Sequence, residues 1–181
     1  MASSTGDPQF ARAQTQGSAE RDAELVAVFS AYTVASVCWL LFATAVGLLL
    51  AFKFGAPDFW AGKYLTFGRL RPVHTNGTFY GWASIALVGL AYYVAARSCG
   101  TRLYSVRLAW VGLWLFNIAA VAGTVALELG YNWGDLEYRE WPWPIRLIFL
   151  AALLAGLEHV RRRHQQRLAA RIHGPAQDQR L

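Results

Sequence analysis

Charge is scarce in this sequence of 181 residues: Asp, Glu, Lys and Arg together make up 15% of it, against 55% hydrophobic residues. A soluble domain carries about a quarter charged residues, so this composition supplies too little charge for a surface wetted all round. Cysteine is scarcer still. The two cysteines, Cys38 and Cys99, exclude a disulfide scaffold and a cysteine-built zinc or iron–sulfur centre, and neither stands in a Cys-x-x-Cys-His heme-attachment motif. Of the four histidines, no two have the i, i+4 spacing that lets two imidazoles share a metal on one helix face. No short apolar core followed by a small-residue cleavage site stands near the start, which argues against a removable signal peptide. Aromatic residues are abundant, with eight Trp, eight Tyr and ten Phe. That apolar load excludes a disordered chain.

The apolar residues fall into runs. Residues 1–24 are small, polar and of mixed charge, and read as a flexible N-terminal tail. Leu25 to Phe52 then carries no formal charge over 28 residues, more than the roughly 20 that a helix needs to cross the hydrocarbon. Pro72 to Ala96 is a second such run of 25 residues, with Pro72 suited to the first turn of a helix, and Leu108 to Leu127 is a third of 20. Leu147 to Leu157 is shorter, and extending it to 142–160 brings Arg146 and Glu158 near its two ends. The reading is an all-α membrane protein of four transmembrane helices, at about 25–52, 72–96, 108–127 and 142–160. A basic tail, 161–181, follows.

Lys and Arg number 17 against 11 Asp and Glu, for a net charge of +6. This surplus flanks the apolar runs, which points to membrane topology and to anionic lipid rather than to nucleic acid. With four spans, the two termini and the 97–107 loop share one side and hold eleven of the cations, against six on the other side. The positive-inside rule then puts both termini in the cytoplasm of a multi-pass inner-membrane protein. The 128–146 loop on the far side is acidic, with Glu128, Asp135, Glu137 and Glu140, and carries Trp133, Trp141 and Trp143 as an interfacial belt.

His159, His164 and His173 lie among the arginines of the tail, but His74 opens the second run, within GRLRPVHTNGTFYGWASIALVGLAYYV. Polar groups at membrane depth are costly and tend to be functional, and imidazole is a common heme ligand. Gly77 and Gly81, at i+3 and i+7, share its helix face and strip that face of bulk. Spacing alone leaves two readings. A flat macrocycle approaches this face, or Gly77-xxx-Gly81 packs against another helix with His74 hydrogen-bonded to a neighbour. Arg69 and Arg71 stand just before, as ordinary interfacial cations or as partners for carboxylates.

The stretch GRLRPVHTNG with the aromatic, glycine-rich span after it resembles the second helix of the catalytic subunit of heme–copper oxidases, most closely the cbb3-type cytochrome c oxidases. ELGYNWGDLEYREWPWPIR resembles that family's acidic loop before its fourth helix. The two motifs, in this order, spread the resemblance over roughly residues 25–160. It implies that the chain corresponds to the first four helices of subunit I. It further implies that His74 is an axial ligand of the low-spin heme b and that Arg71 lies near a heme propionate. Glu137 and Glu140 belong, by the same resemblance, to a loop over the hemes where a calcium ion binds. Arg146 departs from the family's usual Asp.

A full subunit of that family has about twelve spans. The second axial histidine of the low-spin heme, the high-spin heme ligand and the copper-binding histidines belong to later segments. The resemblance therefore implies an enzyme only as part of an assembled oxidase. The remaining helices would come from a partner chain or missing segment, other membrane subunits would surround it, and c-type cytochromes would donate electrons. The alternatives are a non-enzymatic structural subunit and the matching part of a nitric oxide reductase.

Overall fold

The computed structural model describes residues 8–99, 103–132 and 140–173, and every described element is helical. Helix α1 runs over Pro8–Gly55, α2 over Phe67–Asn76, α3 over Ser84–Cys99, α4 over Val106–Leu129 and α5 over Trp143–His173. Between α2 and α3 the chain widens into a π-helical segment, Gly77–Ala83, so that Phe67–Cys99 forms one rod.

Several boundaries differ from those read off the sequence. The segment 8–24, expected as part of a flexible tail, is the first third of α1. Its Ala, Gln, Arg and Glu are good helix formers, and a helix already nucleated in the apolar run extends through them at little cost. The 48 residues of α1 measure about 72 Å, more than twice the hydrocarbon thickness. An exposed ion pair, Arg97 to Asp22 at 3.0 Å, ties its polar part to the end of α3. Pro72 lies inside α2 rather than in its first turn, because the helix starts at Phe67. The basic segment after residue 160 continues α5 to His173.

Among the described residues three helices are long and apolar enough to cross a membrane: α1, the Phe67–Ser98 rod and α4. In α5 the apolar part is Trp143–Leu157. The described residues thus hold three to four apolar helices in a membrane-spanning, all-helical architecture.

Glycines and alanines bring the helices together. Helix α1 lies chiefly against the α2–α3 rod, and α4 chiefly against α5. One buried cluster joins Val28, Tyr32, Ile85, Tyr92, Phe116 and Ala152. Tyr32 is seated there by its hydroxyl, which donates to the Ala109 carbonyl at 2.8 Å across 77 residues. A second cluster joins Val73, Ala119, Ala120, Leu127 and Trp141. Trp39 Nε1 donates to Asn117 Oδ1 at 3.0 Å and pins α1 to α4. Helix α4 is capped at both ends. Ser105 accepts from the Leu108 N–H, and Gly130 takes the left-handed conformation (φ 92°) that ends the helix.

Candidate functional site

His74 sits in the last turn of α2, just before the π segment. Its Nδ1 lies 2.7 Å from the carbonyl oxygen of Ala43 on α1. A carbonyl can only accept, so Nδ1 carries the hydrogen, and in the neutral ring the lone pair is on Nε2. Nε2 has no hydrogen-bond partner among the described residues. The ring lies against Gly47: a β-carbon built there would fall 2.6 Å from Cε1, 2.9 Å from Nδ1 and 3.3 Å from Nε2.

The glycine face next to His74 is filled by α1. A β-carbon on Gly77 would meet Ala43 Cβ at 3.5 Å, and one on Gly81 would lie 2.6 Å from the Trp39 indole. Of the two readings left open by the spacing, these two glycines follow the helix-packing one. His74 faces the same helix, hydrogen-bonded to it as that reading requires, yet keeps a ligand nitrogen unused.

The opposite face of α2 carries different chemistry. Asn76 is two residues on, about 200° around the helix. Its Nδ2 donates to the Pro72 carbonyl at 2.8 Å and to Glu140 Oε2 at 2.9 Å. Both partners are buried, Asn76 at 1% exposure and Glu140 at 5%. Asn76 Oδ1 and Trp141 Nε1 are buried without a hydrogen bond. The Trp141 ring lies tilted against Tyr80, with centroids 4.7 Å apart, and the Trp141 backbone carbonyl accepts from Arg146 Nε. Arg146 thereby holds the start of α5. Glu137 lies outside the described residues, and Glu140 is held by an amide. Among the described residues no three His, Cys, Asp or Glu side chains converge as a metal site would require.

Arg69 and Arg71 diverge. Arg69 donates from Nη1 to the Glu128 carbonyl at 2.7 Å and lies over the Tyr64 ring at 5.5 Å. It serves the last turn of α4, where the helix dipole favours a cation. Arg71 is exposed.

Gly47, Ala43 and Asn76 were not singled out by the sequence. Gly47 carried a signal, as the one glycine in the run from Leu25 to Phe52. The acceptor on Ala43 is a backbone atom and carried none.

Residues 27–172 match the family model described as cytochrome c and quinol oxidase polypeptide I. The chain belongs to this family. A cytochrome c oxidase subunit 1 homolog from Agrobacterium tumefaciens is 32% identical over 114 residues, 63% of this chain and 21% of that protein. The cbb3-type cytochrome c oxidase subunit CcoN1 of Stutzerimonas stutzeri is 28% identical over 125 residues, 68% of this chain and 26% of its own length. Cytochrome c oxidase subunit 1 of Rhodobacter capsulatus is 29% identical over 147 residues, or 76% and 27%. The chain thus spans about a quarter of the length of these oxidase polypeptide I relatives. For a family whose members hold heme, the chemistry present fits at one residue, His74, an imidazole whose Nδ1–H is spent on a carbonyl, as metal-bound histidines usually arrange it.

Proposed function

We propose that this chain forms part of subunit I of a respiratory terminal oxidase, where His74 supplies one axial ligand of a low-spin heme b. The observation that carries this is the hydrogen bond from His74 Nδ1 to Ala43, which leaves Nε2 as the donor atom. The carbonyl also fixes the ring plane. When bound, the heme supplies one-electron transfer at its iron. Arg71, exposed and three residues before His74, offers a guanidinium to a propionate. The remaining helices, the second axial ligand, the high-spin heme and copper are assigned to other segments or to a partner chain, and electrons to c-type cytochromes. With the shorter apolar helix Trp143–Leu157 taken as a fourth span, the distribution of Lys and Arg supports both termini in the cytoplasm of the inner membrane. Among the relatives, the one named cbb3-type supports this branch.

The test is His74→Ala in the co-purified membrane complex. The expected result is loss of the low-spin b-type α band from the reduced-minus-oxidised spectrum, with the complex still assembled. An unchanged band overturns the reading in favour of a structural subunit, for which the packing of Gly77 and Gly81 against α1 speaks. Oxygen and nitric oxide consumption by the same preparation separate an oxidase from a nitric oxide reductase.

A further inference from the structure

A glycine inside a membrane-spanning helix calls for a reason, because it forfeits packing and loosens the backbone. In α1 that reason is the ring of His74. We propose that Gly47 is the positioning residue for this imidazole: the β-carbon it lacks is the space the ring occupies, and that space fixes where Nε2 is presented. The proposal rests on the heme-ligand reading of His74.

Three ring atoms, Cε1, Nδ1 and Nε2, lie within 3.3 Å of where that β-carbon would be. The contact therefore covers an edge of the ring and is more than the brush of a flexible tip. The ring has little freedom to retreat. It has two side-chain torsions, stands on a helix, and is tethered by its 2.7 Å bond to Ala43. Ala43 lies one turn before Gly47 on the same helix, so acceptor and gap are presented together. The acceptor is a main-chain atom that no side-chain substitution removes. Position 47 is thus the place on α1 where a side-chain change reaches the imidazole directly. A methyl group there pushes the ring away from Ala43, lengthening the Nδ1–H···O bond and re-aiming Nε2. Gly77 provides the contrast, since a β-carbon there meets Ala43 Cβ at 3.5 Å and the Phe42 ring at 3.9 Å, both ordinary contacts.

The experiment uses the assembled complex and follows the low-spin b signal by optical and paramagnetic resonance spectra, together with heme transfer to apomyoglobin. Gly47→Ala is expected to shift the low-spin g values and to speed heme loss roughly tenfold, the lower end of what lost outer contacts cost a metal site. Gly77→Ala and the outward-facing Leu48→Ala are expected to match the wild type. A His74→Gly background gives a second measurement that survives poor assembly of Gly47→Ala alone. There free imidazole restores the low-spin band, and adding Gly47→Ala raises the imidazole needed roughly tenfold. A band that persists in His74→Gly without imidazole overturns the heme reading and this proposal with it. A band that depends on His74 but is indifferent to Gly47→Ala in both measurements overturns the positioning role alone.

Discussion

His74 on Gly47 and Trp141 on Gly123 are the same packing device put to two uses. In each, a ring lies where a β-carbon would stand: 2.6 Å from it for the imidazole and 2.3 Å for the indole. Trp141 is sealed, at 3% exposure, with Nε1 buried and unpaired. It makes up part of a core cluster with Val73, Ala119 and Leu127. His74 is only half-buried, its Nδ1 is satisfied and its Nε2 is not. One ring converts the gap into burial, and the other converts it into orientation. The comparison teaches that a glycine under a ring reports close approach, while the wiring of the ring's polar atoms reports purpose.

Substitutions can break this contrast. The largest effect is expected for Trp141→Ala, which empties a buried aromatic site and costs about 3–5 kcal/mol, read as a lowered thermal midpoint in detergent. An unchanged midpoint would mean that the indole does not hold α4 to α5. Next comes Asn76→Ala, which strips Glu140 of its amide donor and leaves a buried carboxylate short of a partner, at about 1–3 kcal/mol. Glu140→Gln in the same background should recover much of that loss, and no recovery would place the cost elsewhere. Gly123→Ala follows: overpacking costs about 1–3 kcal/mol, offset by about 1 kcal/mol of helix propensity. The net loss should exceed that of Gly47→Ala, because the half-buried imidazole has less buried apolar contact to lose than the sealed indole. Equal losses at the two positions would erase the distinction between sealed and open rings. Smallest is Asp22→Asn at the exposed pair with Arg97, where the melting curve should be unchanged at physiological salt.

The membrane-spanning helical character was legible because it depends on length and charge alone, as in Leu25 to Phe52. Helix starts were less so. Pro72 reads as a first-turn residue, yet α2 begins five residues earlier at Phe67. The polar segment 8–24 gives no apolar signal, and its helix is inherited from the run that follows. At the site, the spacing put His74, Gly77 and Gly81 on one face, but spacing cannot say what covers a face. Asn76 and Glu140 are 64 residues apart, and nothing local in either motif announces that they meet. The acceptor for His74 is a carbonyl, identical at every position until the helices are placed.

The π segment after His74 has a consequence for how the rod can change. Its turns are wider than α turns, as the Ser84 N–H bonding to Phe79 shows. If the same seven residues closed into ordinary α turns, the rod would gain about one residue's worth of winding. All that follows would then rotate by about 100° around the rod axis. Gly89 and Tyr92, which meet Tyr32, would swing off α1 while His74 stayed in place. The segment thus sets the angular phase between the two ends of one rod, so the histidine-bearing end and the core-forming end can drift apart in sequence, each tuned to its own neighbours.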